Sequence, residues 1–190
     1  GAAERRLPTM ISFNVAGLLH EPAGAVRDVR LRDRYVALGP DIELAGPLDA
    51  DLRLQRTNRG VLARGSVRAP LRRTCARCTD AFVEDVRVSV DEEFLPTIDP
   101  DSGARLPTDA DEPGSTLHID EHHEINLGDV FHDELALTEP MHPLCSPDCP
   151  GLCVECGERL DTGAHAHAAD EIDPRLAGLA ALLRNGDTSQ

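Results

Sequence analysis

The spacing of the cysteines constrains this chain more than any other feature. Four of the six fall within Cys145–Cys156, in the run Cys-Ser-Pro-Asp-Cys-Pro-Gly-Leu-Cys-Val-Glu-Cys. Pro147, Pro150 and Gly151 lie between them and Gly157 follows directly, so the backbone turns repeatedly and is not helical there. Thiols this dense on a turning backbone surround a soft metal ion. Zn2+, held tetrahedrally at about 2.3 Å per sulfur, is the expected occupant. The remaining cysteines, Cys75 and Cys78, form a second Cys-x-x-Cys pair far upstream.

The ligands divide in one of two ways. In the first, Cys145, Cys149, Cys153 and Cys156 share one ion and Cys75 and Cys78 stay as thiols. In the second, Cys75, Cys78, Cys145 and Cys149 form one site, and Cys153, Cys156, His165 and His167 form another. The second is preferred, because eight ligands suit two tetrahedral ions and the arrangement ties an upstream sheet to the C-terminal segment. A site saturated by cysteine has no open position for water, so it is structural. The chain has no Gly-x-Ser-x-Gly, no His-Glu-x-x-His and no phosphate-cradling glycine loop, and it is expected not to be an enzyme. Redox use of Cys75 and Cys78 would call for a βαβ setting, which the pattern around them lacks.

The rest of the chain follows hydrophobic periodicity. The alternation Phe82, Glu84, Val86, Val88, Val90, Glu92, Phe94 against Val83, Asp85, Arg87, Ser89, Asp91 predicts a long strand. Val61–Val67 predicts another, with Val61, Ala63, Gly65 and Val67 on one face. A turn at Asn58-Arg59-Gly60 joins it to Leu52–Leu54. Val26–Val36 also reads as a strand. Ser12 is expected to cap a short helix carrying Phe13, Leu18 and Leu19. Asn126 is expected to cap another with an apolar face of Leu127, Val130, Phe131 and Leu135. Asp173-Pro174 opens a terminal helix bearing Leu176, Leu179, Ala180 and Leu183.

The expected class is α+β: an antiparallel β-sheet domain and a following helix over residues 10–140, with an acidic mobile loop at 96–117. A zinc knuckle and C-terminal helix occupy 141–185. Aromatic residues are only 3% and tryptophan is absent, so the core must be Val, Leu, Ala and Ile, and a metal staple is expected to help it.

Charge is polarised within a net of −15. Leu52–Thr79 holds eight arginines and no acid, whereas Asp91–Pro140 holds fifteen acids and one arginine. Arg68, Arg72, Arg73 and Arg77 are the candidate RNA-binding residues, since a basic strand face can neutralise phosphates. An acidic loop lying over that face could screen it. His118, His122, His123 and His132 lie among acids and are expected at the solvated surface. The chain has no apolar run of roughly 18 residues and no leader pattern, so the expectation is a cytoplasmic protein without a membrane span.

Gly60-Val61-Leu62, Thr74-Cys75-Ala76-Arg77-Cys78, Ile125-Asn126-Leu127, Leu137-Thr138-Glu139-Pro140, Cys145–Gly157 and Ile172-Asp173-Pro174-Arg175-Leu176 occur in that order along the chain. Together these segments resemble the YceD-like family of large ribosomal RNA subunit accumulation proteins. The chain departs from the family pattern at Thr79, where leucine is usual, and at His165 and His167, where many members carry further cysteines. The resemblance implies a non-enzymatic ribosome biogenesis factor supporting accumulation of the large-subunit (23S) ribosomal RNA. Its implied partner is ribosomal RNA, the pre-50S particle or a basic ribosomal protein. The alternative is a zinc-linked regulatory or redox-sensing protein-interaction module that binds no RNA.

Overall fold

A computed structural model of the protein describes residues 11–106, 117–161 and 163. Among these the elements run β1 (Ser12–Asn14), α1 (Ala16–Leu19), β2 (Val26–Arg34), β3 (Leu48–Arg56), β4 (Val61–Thr74), β5 (Ala81–Pro96), β6 (Leu117–Ile119), β7 (Glu124–Asn126) and α2 (Leu127–Ala136). The class is α+β. One sheet has five strands in the order β2-β3-β4-β5-β6, and β1 pairs with β7 in a separate two-stranded ribbon. The first four strands of the large sheet form an antiparallel meander, and β6 joins β5 in parallel.

Strand periodicity sets the two faces of this sheet. Leu48, Ala50, Leu52 and Leu54 of β3, with Val61, Ala63, Val67, Ala69 and Leu71 of β4, point into the core. The alanines sit opposite larger partners, in the pairs Ala50↔Val67, Leu54↔Ala63 and Ala69↔Val86. This alternation of small and large fills space in a chain with few aromatics. Leu18 and Leu19 of α1, and Leu127, Val130, Phe131 and Leu135 of α2, join the same core cluster.

The helix α2 starts where the sequence indicates. Asn126 Oδ1 accepts from the backbone N–H of Gly128 at 2.9 Å, and Asn126 Nδ2 donates to Asp129 at 2.9 Å. The expected helix from Ser12 is shorter and later. Ser12–Asn14 is a strand held by Glu124–Asn126, and Val15 N–H donates to the His123 carbonyl at 2.8 Å. A long-range backbone pairing overrides the local capping preference.

The strand β4 runs to Thr74, well beyond Val67, and passes through Pro70. That proline lies beyond Arg68, the last residue of β4 that pairs with β3. The loop before β3 covers this side instead. Ala45 N–H donates to the Pro70 carbonyl and Arg72 N–H donates to the Glu43 carbonyl, both at 2.8 Å. A missing N–H is tolerated there because no ladder bond is lost. The consequence is a long β4–β5 hairpin whose far end carries Cys75 and Cys78.

Candidate metal centre

The β4–β5 ladder closes with the pair Thr74↔Ala81, and the six residues between them form a tight turn. Cys75 N–H donates to the Asp80 carbonyl, and Thr79 N–H donates back to the Cys75 carbonyl, each at 2.9 Å. Arg77 N–H points at the Cys75 sulfur from 3.4 Å. Thr79 takes a positive φ of 62°, as the fifth residue of such a turn must.

The partner thiols arrive on the segment after α2. The Pro143 carbonyl accepts from Ala76 N–H at 2.7 Å, which lays this segment against the turn. Cys149 N–H donates to the Ser146 carbonyl at 3.1 Å, folding the Cys145–Cys149 loop back on itself. The Sγ atoms of Cys75, Cys78, Cys145 and Cys149 all lie within 4.8 Å of one another. Cys75 Sγ stands 3.8 Å from Cys149 Sγ, and Cys78 Sγ 3.7 Å from Cys145 Sγ. Four sulfurs tetrahedral about a zinc at roughly 2.3 Å would stand about 3.8 Å apart. The cage therefore has the size such an ion requires. Phe82 and Leu144 pack against its buried side.

The electrostatics of the cage suit a cation. Backbone N–H groups of Cys145, Cys78 and Arg77 converge on Cys75 and hold its thiol well below the usual range, at about 6. Hydrogen bonding with Cys149 and Cys78, together with burial, pushes Cys145 up to about 12. Burial, foremost, raises Cys78. Four crowded thiols without a cation cannot all ionise. An ion at the centre would let them do so, with release of protons.

Cys153 and Cys156 stand apart from this cage and form a turn of their own. The structure thus brings together Cys75, Cys78, Cys145 and Cys149, and not the four cysteines of the C-terminal run. His165, His167 and the helix expected from Asp173 lie outside the described residues.

Each of the four arginines expected at an RNA surface has a partner within the molecule. Arg68 pairs with Asp85 at 3.3 Å and Arg72 with Glu43 at 2.8 Å. Arg77 Nη1 donates to the Cys149 carbonyl at 2.9 Å. Arg73 is buried, at 4% exposure. It ion-pairs with Glu84 at 2.7 Å and with Glu139, and donates from Nη2 to Thr138 Oγ1 at 3.0 Å. Its guanidinium is therefore inside the molecule, where no phosphate reaches it. Inward-facing Arg73 falls in the same period-2 row as Leu71 and Ala69, and alternation was the one signal that could have placed it.

Elsewhere on the solvent face, basic and acidic residues interleave. Asp28, Arg53, Arg64 and Asp91 fall in one cross-strand row, with Arg53 on Asp28 at 3.0 Å and Arg64 on Asp91 at 2.9 Å. His132 is only partly exposed. Its Nε2 meets Asp41 at 3.0 Å and its Nδ1 meets Asp133 at 2.9 Å, and these bonds, Asp133 foremost, raise its pKa. Among the described residues, no helix is long and apolar enough to cross a membrane.

Residues 63–183 match the family model described as Large ribosomal RNA subunit accumulation protein YceD. The chain is 39% identical over 142 residues to an uncharacterized protein of Mycobacterium tuberculosis, covering 75% of this chain and 65% of that relative. An uncharacterized protein of Mycobacterium bovis aligns to the same extent. A third, from Mycobacterium leprae, is 30% identical over 183 residues, covering 95% of this chain and 81% of the relative. The chain thus spans just under two thirds of the length of the first two relatives. No solved structure matches it. With its matched segment running from the inward row of β4 through both cysteine turns, the chain belongs to the YceD family of large ribosomal RNA subunit accumulation proteins.

Proposed function

We propose that this protein is a non-enzymatic cytoplasmic factor that supports accumulation of the 23S ribosomal RNA by binding RNA in the pre-50S particle, with a structural zinc ion in its four-cysteine cage. The observation that carries the reading is the cage itself. It joins the end of the arginine-rich β4–β5 hairpin to the segment after α2, in a chain whose family model carries the description of a large ribosomal RNA subunit accumulation protein. Zinc fits four thiolates at this spacing better than a hard cation would. Four sulfur ligands leave no position for a reacting water, which favours a clamp over a catalyst. Exposed Arg68 and Arg72, whose acidic partners are themselves solvated, can exchange those partners for phosphates at small cost.

Sedimentation of cell extract through gradients at low and high salt tests the reading. The expected result is co-migration with pre-50S particles, weakening as salt rises. Zinc should be present in the isolated protein, and its chelation should lower Tm. A protein that stays at the top of every gradient and whose cysteines oxidise reversibly would sink the proposal in favour of a redox-sensing module.

A further inference from the structure

The run Cys153-Val154-Glu155-Cys156-Gly157-Glu158 repeats the backbone of the cage turn bond for bond. Cys153 N–H donates to the Glu158 carbonyl at 2.7 Å, as Cys75 N–H does to Asp80. Gly157 N–H donates to the Cys153 carbonyl at 2.9 Å, as Thr79 N–H does to Cys75. Glu155 N–H points at the Cys153 sulfur from 3.4 Å, the distance from Arg77 N–H to the Cys75 sulfur. Gly157 has a φ of 73° where Thr79 has 62°. Even the flanks agree, since Leu152 bridges Arg159 in antiparallel fashion, as Thr74 pairs with Ala81. Two unrelated stretches adopt one conformation that aims a backbone N–H at the first sulfur and brings the second sulfur to the same side. In the first stretch that conformation serves a four-thiol cage.

Packing does not account for the second turn. Cysteine used as a small hydrophobe is ordinarily buried. Cys156 is exposed and Cys153 only half-buried, while Val154 at the tip is fully exposed. The turn rests against the first one through polar contacts. Leu152 N–H donates to the Arg77 carbonyl at 3.2 Å, and Arg159 ion-pairs with Asp80. A small hairpin with so little apolar burial is the kind of element that a bound ion can stabilise.

We propose that Cys153 and Cys156 are two ligands of a second soft divalent ion, zinc by the same chemistry, bound separately from the ion in the cage. The inference borrows from the preceding proposal only the reading of the first turn as a ligand turn.

Native mass spectrometry of the full chain, expressed with zinc as the supplied metal, tests it. Wild type should carry two zinc ions and the Cys153→Ser/Cys156→Ser variant one. A single zinc in wild type that this variant retains would overturn the second site and leave the cage standing. So would two ions in both proteins, which would place the second ion elsewhere. A single zinc lost in this variant but kept in Cys75→Ser/Cys78→Ser would uphold the second site and sink the cage. Should Cys75→Ser/Cys78→Ser fail to fold, 113Cd NMR of the cadmium-loaded wild type replaces it. Two thiolate-bound resonances are expected, of which one disappears in Cys153→Ser/Cys156→Ser. One resonance that persists in that variant would overturn the proposal.

Discussion

Arg77 reaches back over the cage and donates from Nη1 to the carbonyl oxygen of Cys149 at 2.9 Å, so the residue between two cage cysteines on one segment holds a cage cysteine on the other. Its neighbour Ala76 takes the Pro143 carbonyl, and its own carbonyl takes Leu152 N–H. Residues that support ligands from outside the coordination sphere typically contribute on the order of 10-fold in affinity. Arg77→Ala should therefore weaken zinc binding by about that factor in competition with a chromophoric chelator. An unchanged affinity would show that the Pro143 and Cys149 segment holds itself in place.

Arg73 lies inside the protein, with its carboxylate partners Glu84 and Glu139 about half exposed. The two ways of breaking this triad should differ. Arg73→Met removes the buried charge and leaves two carboxylates that can turn to water. Glu84→Gln with Glu139→Gln leaves the guanidinium buried without a counter-charge, a class of change that costs about 3–5 kcal/mol. Urea denaturation should show the double glutamine variant as the less stable. The reverse order would mean that the arginine chiefly serves Thr138 and the end of α2.

His132 gives the fold a pH dependence near neutrality. Its folded pKa is raised by bonds to Asp133 and Asp41, so its contribution is fully present below the unfolded value of about 6.5 and is lost as pH rises through the folded one. Asp41 is lowered chiefly by the bond from His132, so its share is present above its unfolded value and is lost as pH falls through the folded one. The pair is most effective between these limits. Wild type should exceed His132→Gln in Tm by on the order of 1–3 °C at pH 6, and the gap should close towards pH 9. A constant gap would assign the difference to packing.

Arg68 and Arg72 separate binding from stability. Their ion pairs with Asp85 and Glu43 are solvated, and exposed pairs contribute about 0–1 kcal/mol each. Arg68→Ala with Arg72→Ala should leave Tm nearly unchanged. It should weaken RNA binding across all sequences alike and lower the slope of log K against log salt by about 2. An unaltered salt slope would move the phosphate contacts to another face.

Much of this arrangement is legible in the sequence where the signal is local. The period-2 run from Phe82 to Phe94 matches β5, and Asn126 followed by Leu127, Val130, Phe131 and Leu135 matches α2 with its cap. The cage is legible as chemistry, because cysteine spacing limits what can share an ion. Local signals fail where distant chain supplies the partner. Ser12–Asn14 is a strand because Glu124–Asn126 lies beside it. Pro70 masks the length of β4 because the strand at that point is bordered by a loop, and no residue near Pro70 reports this. The arginine-rich stretch reads as a basic face until the register sets acids beside it, Asp91 against Arg64 and Asp28 against Arg53. Composition counts charges along the chain, whereas the sheet pairs them across it.

The cage also imposes an order on events. Cys75 and Cys78 are closed on Cys145 and Cys149, and Cys78 and Cys145 are 67 positions apart in the sequence. During synthesis the β2–β5 meander can form by pairing neighbours, but its far turn must wait for α2 and the segment beyond it. Over that interval Cys75 and Cys78 are a bare dithiol on the growing chain. A metal ion held by these four thiols would thus be captured only at the last stage of maturation, and its supply would then be a checkpoint on how much finished protein accumulates.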